Sequence, residues 1–179
     1  MIFVGVVLLS CYGCSEAADK SKRIFGRLEQ VRLEHYDTVL KAKLDTGART
    51  SSLNAINIRS FEKSGKPWIA FDVPVPGSER LLHFDKILLQ IAKIKNRKGE
   101  LAASGNTPYS QRPVVRMRVC LGNRMRKIKV NLVDRRHFLY PMLIGASAIR
   151  FFSGMVDPSR VYTREPTCTA TRSNPDSAD

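Results

Sequence analysis

Residues 41–55 read KAKLDTGARTSSLNA and join a strand pattern to a turn pattern at Asp45. Leu40, Ala42 and Leu44 alternate with lysines, which is the period of two expected of a half-buried strand. Asp-Thr-Gly follows where that strand ends, and Asp and Gly are turn formers, since the Asp side chain can bond its own backbone. These residues alone leave two interpretations of Asp45 open: the corner of a turn, or one half of a catalytic carboxylate pair.

The same short period recurs along the chain and predicts strands rather than helices. Strands are expected at residues 28–33, 38–45, 68–75 and 86–94, with a helix as the alternative for residues 86–94. A long hairpin is expected around the Gly-Asn turn within residues 112–134. The segment YPMLIGASAIRFF, residues 140–152, predicts an apolar strand that runs into a short helix starting near Ala146. Several short strands with turn signals and little helix favour an all-β barrel or sandwich.

The two ends of the chain differ in composition from its middle. Residues 1–23 contain an apolar run, Ile2–Leu9, with the length of an export signal, followed by a small, charged linker. The text LLSC resembles a bacterial lipobox, in which Cys11 would carry a lipid anchor on a periplasmic protein. A plainly cleaved signal and a buried apolar start in the cytosol are the alternatives. We expect one folded domain over residues 24–163 and a disordered tail over residues 164–179.

The chain is strongly basic, with 30 Lys and Arg against 16 Asp and Glu and a formal net charge of +14. Such a surface favours anionic partners: nucleic acid, anionic lipid or an acidic substrate. One face of the 112–134 hairpin should carry a solvated basic row of Arg116, Arg118, Lys127 and Lys129. Nucleic acid is disfavoured, because the export signal argues against it and neither a helix-turn-helix nor a stacking pattern of aromatic residues is present.

Familiar catalytic and cofactor motifs are absent from the sequence: HExxH, GxSxG, the phosphate-binding loop and GxGxxG. The histidines, His35, His83 and His137, are scattered without ligand-like spacing, and the cysteines lack paired CxxC motifs. We therefore expect no metal site and no cofactor. Cys120 and Cys168 could pair in an oxidising compartment, and the sequence does not decide whether they do.

An Asp-Thr-Gly strand end followed downstream by an apolar-apolar-Gly segment and a short helix is similar to the single-domain retropepsin-like aspartic peptidases. Three blocks, KAKLDTGARTSSLNA, RPVVRMRV and VNLVDRRHFLYPMLIGASAI, occur in the right order. They resemble the bacterial family of retropepsin-like proteins encoded near RimK-type ATP-grasp ligases, often labelled ATP-dependent zinc proteases. The similarity runs from about residue 24 to about residue 162.

This resemblance implies a closed barrel with one short C-terminal helix, forming one half of a two-fold homodimer. Asp45 from each subunit would form the catalytic dyad, because one chain supplies only one such aspartate. Thr46 would join the two loops, Gly47 and Ala48 would lie against substrate backbone, and Gly145 would support the loop from behind. The resemblance implies extended peptides as substrates, and gene context within the family adds amide bonds of glutamate-containing products.

Two sequence features differ from retropepsins proper. Arg49 stands where those enzymes carry an acid and Ala146 where they carry an arginine, so the subunit-stabilising pair of that family is absent. Residues 93–111 lie between strands and contain glycines, which is compatible with a flap over the substrate and with an ordinary loop. The leading hypothesis is an exported, dimeric aspartic peptidase. The alternative is a non-catalytic module that binds an anionic envelope component through its basic face.

Overall fold

The computed structural model describes residues 21–95 and 109–168. Within them, eleven strands and one helix follow in chain order. These are β1 Arg23–Leu33, β2 Val39–Asp45, β3 Ser51–Asn54, β4 Ile56–Lys63, β5 Lys66–Pro74, β6 Leu81–Ile87, β7 Gln90–Lys95, β8 Tyr109–Leu121, β9 Arg124–Val133, β10 Met142–Gly145, α1 Ala146–Phe151 and β11 Gly154–Val161.

Six strands form a closed ring in the order β1, β2, β10, β3, β9, β8, because β8 pairs back with β1. β7 extends the sheet by pairing with β8. β11 pairs in parallel with the first half of β1. Closure leaves no unpaired strand edge within the ring itself. The predicted all-β closed barrel and its short helix at Ala146 are confirmed.

The barrel core follows the period of two seen in the sequence. Leu40, Ala42 and Leu44 of β2 point inward and are buried, while the lysines between them are exposed. The β8–β9 hairpin repeats the pattern with an inward row of Val115, Met117, Val119, Leu121, Ile128, Val130 and Leu132. Burying one such side chain contributes roughly 1.5–3 kcal/mol, so these rows determine which face of each strand turns inward.

A second sheet of β4, β5 and β6 packs one face into the same core. Phe71 of β5 stacks on Phe84 of β6 with ring centroids 5.4 Å apart. The single strand predicted over residues 86–94 is wrong, since β6 ends at Ile87 and β7 begins at Gln90. The residues between them change sheets: the Leu88 amide donates to a carbonyl at the start of β5, and the Leu89 amide donates to Val114 of β8.

The C-terminal segment, residues 162–168, lies against the barrel. The Tyr162 amide donates to the Leu28 carbonyl at 2.7 Å, and the Thr167 amide donates to the Gly122 carbonyl at 2.9 Å. A disulfide joins Cys168 to Cys120 of β8. The disordered tail was predicted from residue 164, and the structure corrects this: residues 164–168 are held by main-chain and covalent bonds that composition does not reveal.

Glu29 of β1 connects this segment to the barrel. Its side chain is fully buried and accepts hydrogen bonds from the Gly26 amide at 2.6 Å, the Thr163 amide at 3.1 Å and the Arg164 amide at 3.3 Å. The Thr163 hydroxyl donates to the same carboxylate at 2.5 Å. A buried carboxylate is stable only when it is satisfied in this way. Glu29 therefore helps to anchor the C-terminal segment.

The predicted export signal, Cys11 and residues 169–179 lie outside the described residues. In the part of the chain that the structure describes, no helix has the length and apolar character needed to cross a membrane.

Replacing Glu29 by glutamine should destabilise the fold by about 1–3 kcal/mol, because one acceptor oxygen becomes a donor that faces backbone amides. Urea denaturation of the purified protein measures this. The control is Glu62→Gln on exposed β4, which removes the same charge without a buried partner and should leave stability nearly unchanged. Equal stability of the two variants would contradict the anchoring role of Glu29.

Replacing Cys168 by serine should lower the free energy of unfolding by about 2–4 kcal/mol under oxidising conditions, since the disulfide closes a long loop of the unfolded chain. Thermal unfolding with and without dithiothreitol measures the effect. Reductant should lower the stability of the wild type to that of the variant and leave the variant unchanged. A wild type insensitive to reductant would show that the bond contributes nothing.

Candidate active site

Asp45 and Gly145 meet at one end of the barrel. β2 and β10 run parallel, and their register places Gly145 directly opposite Asp45. Parallel neighbours end at the same edge of a sheet, so the two motifs found separately in the sequence form one structural unit. The side chain of Asp45 keeps 19% of its surface exposed, so a ligand can reach its carboxylate.

The loop after Asp45 folds back on the carboxylate. The Gly47 amide donates to Asp45 Oδ1 at 3.1 Å, and the Ala48 amide donates to the Asp45 carbonyl at 3.3 Å. Lys43 places its Nζ 3.6 Å from Asp45 Oδ2. Asp45 is therefore the corner of a turn and an accessible carboxylate at the same time, and the two interpretations open from the sequence do not exclude each other.

Gly145 and the start of α1 support this loop from behind. The Ala146 amide donates to the Ala48 carbonyl at 2.7 Å, and the Ser147 amide donates to the Arg49 carbonyl at 3.3 Å. A Cβ on Gly145 would lie 2.5 Å from the Thr50 carbonyl oxygen, which no real side chain tolerates. The predicted support by Gly145 thus has a steric basis. At Ala146 the backbone amide makes the contact, so a small side chain suffices.

The outer surface of the loop faces solvent. Thr46, Gly47 and Arg49 are exposed. Among the residues that the structure describes, the Thr46 hydroxyl has no hydrogen-bond partner and the Arg49 guanidinium has no ion-pair partner. This surface is open to a second molecule.

A cavity of about 490 Å³ opens beside Asp45. Five basic side chains line it: Lys43, Lys95, Arg112, Arg135 and His137. Ile94, Phe138, Leu139 and Leu143 supply apolar surface. Asp45 is the one acidic side chain among the described lining residues, so the cavity combines a single carboxylate with a strongly positive wall.

The ends of the predicted flap segment, residues 93–111, belong to strands. Residues 93–95 lie in β7 and residues 109–111 in β8, and these strands pair in an antiparallel hairpin. Ile94 and Lys95 line the cavity together with Asp45. The centre of that segment, residues 96–108, lies outside the described residues.

Arg135 and Asn131 belong to the cavity wall but were not singled out from the sequence. Asn131 is buried at the end of β9, and its amide donates to the Ser51 carbonyl at 2.7 Å. Arg135 is buried too, and its guanidinium donates to Ser52 Oγ at 2.9 Å. The basic run DRRH, residues 134–137, was the available signal, but only the tertiary structure shows which of its side chains turns inward.

The basic row predicted on the 112–134 hairpin and two of the three histidines lie away from this cavity. Across the β8–β9 ladder Arg116 lies opposite Lys129 and Arg118 opposite Lys127, and none of the four lines the cavity. Of the three histidines, only His137 does. Over the described ranges, no three His, Cys, Asp or Glu side chains come together as a potential metal site.

Comparison with known proteins identifies relatives of several kinds. A crystal structure of a Legionella pneumophila protein of unknown function is 38% identical, with a TM-score of 0.67, and the match covers 81% of this chain and all of that one. Curated proteins of Shewanella pealeana and Shewanella halifaxensis, each named "Probable alpha-L-glutamate ligase", are 32% identical over 69% of this chain. A Desulfotalea psychrophila protein of the same name is 30% identical over 73%.

The chain spans about a quarter of the length of these curated relatives. The family model described as "Retropepsin-like aspartic endopeptidase RimB" matches residues 24–167. This range includes the described helix, the cavity-lining residues and all of the described strands except Arg23, the first residue of β1. The chain therefore belongs to the RimB-like family of retropepsin-like proteins.

Proposed function

We propose that the protein is an aspartic endopeptidase that hydrolyses peptide or amide bonds with two Asp45 carboxylates, one from each subunit of a homodimer. The observation that carries this proposal is the position of Asp45: it lies accessible at a strand end, beside Gly145 and in the wall of a cavity. Family membership supports the same activity.

The chemistry requires two carboxylates that share one proton. The ionised Asp45 takes a proton from a water molecule, whose oxygen attacks the scissile carbonyl carbon, while the protonated Asp45 gives its proton to the carbonyl oxygen. The resulting gem-diol intermediate then collapses: one of its hydroxyls gives its proton to the ionised carboxylate as the carbonyl re-forms, the carbon–nitrogen bond breaks, and the protonated carboxyl gives its proton to the leaving nitrogen. Both products leave with the dyad again holding one proton.

A second copy of the chain is needed to complete such a pair, because Asp45 is the only carboxylate among the described cavity residues. A two-fold axis beside the loop would bring both Asp45 side chains together through one self-complementary surface. The Thr46 hydroxyl and the Arg49 guanidinium lie on that surface, exposed and without a side-chain partner among residues 21–95 and 109–168, and they support this arrangement. Thr46 would bond the partner loop, while Gly47 and Ala48 would admit substrate backbone.

The substrate is proposed to be acidic, namely a glutamate-containing peptide. Four Lys and Arg side chains around one carboxylate attract anionic chains and repel basic ones. The curated relatives named as glutamate ligases contain a segment like this chain within about a quarter of their length. A hydrolase acting on the products of glutamate ligation would fit that association.

We further propose that the protein is exported and held on the periplasmic side of a membrane by a lipid on Cys11. The Cys120–Cys168 disulfide supports an oxidising compartment. Nucleic acid remains an unfavoured partner under this proposal. The competing function is a non-catalytic module that binds an anionic envelope component. The Arg116–Lys129 pair places two cations opposite each other across β8 and β9. It favours that alternative, because adjacent like charges attract an anionic partner.

Replacing Asp45 by asparagine should abolish cleavage of a peptide library that includes glutamate-rich sequences, by at least about 100-fold, since the variant cannot share the catalytic proton. Assays across about pH 4 to 8 should show wild-type activity falling as the dyad loses its last proton. The control is Asp37→Asn, which removes the same charge from a side chain that is 87% exposed. Equal inactivity of a folded wild type and the Asp45 variant would favour the binding module.

Mixing wild type with Asp45→Asn under subunit exchange tests the dyad directly. If both subunits supply Asp45, activity should fall with the square of the wild-type fraction, to about a quarter of the all-wild-type value in an equal mixture. Recovery of untagged Asp45→Asn together with affinity-tagged wild type confirms exchange into mixed dimers. A linear dependence on the wild-type fraction would show that one Asp45 is sufficient.

A further inference from the structure

Arg135 is an unusual component of the cavity that holds Asp45. It lies between β9 and β10 and keeps only 8% of its surface exposed, although arginine is seldom buried. Lys43 and Lys95 in the same wall are exposed. Exposed cations are screened by solvent, whereas a buried guanidinium acts on a ligand at close range.

Several neighbours hold the guanidinium in one orientation. Its Nη1 donates to Ser52 Oγ at 2.9 Å, and its Nε donates to the Tyr140 carbonyl at 3.4 Å. The ring of Phe138 lies 4.3 Å from the guanidinium carbon. The Arg135 main-chain amide donates to Asn54 Oδ1 at 2.6 Å, which anchors the backbone as well. These contacts orient the planar guanidinium.

The carboxylate of Asp134, next to Arg135 in sequence, binds Arg136. Asp134 accepts three side-chain hydrogen bonds from Arg136, and these bonds hold the pKa of Asp134 below its ordinary value. Asp134 therefore stays ionised and engaged with Arg136 at neutral pH. Ser52, which contacts Arg135, lies on β3, directly after the loop that follows Asp45. The Arg135 guanidinium is therefore held by residues next to the Asp45 loop.

We propose that Arg135 determines substrate specificity by binding a carboxylate of the peptide in the cavity beside Asp45. A planar guanidinium can bind a carboxylate through two parallel hydrogen bonds, which a lysine cannot reproduce. This inference rests on the proposed peptidase function and assigns its selectivity to one residue. The carboxylate belongs either to an acidic side chain or to the C-terminus of the peptide.

The test compares peptides that differ in one group. Glutamate and glutamine versions of a cleaved peptide, each with a free or amidated C-terminus, are assayed for kcat/KM with wild type, Arg135→Gln and Arg135→Lys. The preference for the carboxylate should fall by about 10- to 100-fold in Arg135→Gln and by less in Arg135→Lys, while cleavage of the uncharged peptide stays nearly constant. If the loss appears between the glutamate and glutamine peptides, Arg135 binds the acidic side chain. If it appears between the free and amidated peptides, Arg135 binds the C-terminal carboxylate.

Arg116→Gln is the matched control, because it removes the same charge from the exposed face of β8, away from the cavity. Its carboxylate preference should equal that of the wild type. If Arg135→Gln and Arg135→Lys lower kcat/KM equally for charged and uncharged peptides, the role of Arg135 is purely structural and the inference is overturned. Equal cleavage of charged and uncharged peptides by wild type would also overturn it, yet leave the peptidase function intact.

A binding measurement separates failure of the inference from failure of the proposed function. Fluorescence anisotropy with a labelled oligoglutamate peptide needs no turnover. If wild type cleaves nothing, the peptidase function fails. An at least 10-fold weaker affinity in Arg135→Gln or in Arg135→Lys still supports carboxylate binding. Unchanged affinity in both variants overturns it.

Discussion

The site depends on one close approach between main-chain segments, at Gly145. Behind the Asp45 loop, β10 ends so near the carbonyls of Ala48 and Thr50 that a Cβ on Gly145 would lie 2.5 Å from one of them. That approach lets the Ala146 amide bond the loop, and it keeps Gly145 in register with Asp45. The direction of the Asp45 carboxylate follows from these contacts, because the loop has little freedom left.

The positions of the basic side chains in the fold indicate more about function than the net charge does. The net charge of +14 is compatible with several kinds of anionic partner. In the structure the basic side chains divide into at least two groups: one lines the cavity beside Asp45, and another occupies the outer face of the β8–β9 hairpin. Under the proposed peptidase function, the first group selects acidic substrates. The second explains why a binding module remains a distinct alternative to the peptidase.

Sequence periodicity was a good guide where a strand has one buried and one solvated face. It found β2, β8 and β9 and their inward rows, and it located the helix at Ala146. It failed at residues 86–94, where the chain leaves one sheet for another without any break in apolar character. It also missed β4, whose side chains are mostly exposed and whose pairing with β5 depends on main-chain bonds. The 164–168 segment was missed because its anchors are Glu29 and Cys120, both distant in sequence.

The sequence by itself determined the class of fold, the position of Asp45 at a strand end and the resemblance to retropepsins, because strand periods and turn residues are local properties. Only the tertiary structure decided that β8 closes the barrel against β1, that Cys120 meets Cys168, and that Arg135 rather than Arg136 turns into the cavity of Asp45. Those outcomes depend on the register between distant segments. Register is set by many small packing and hydrogen-bond contributions acting together, and no short stretch of sequence contains them.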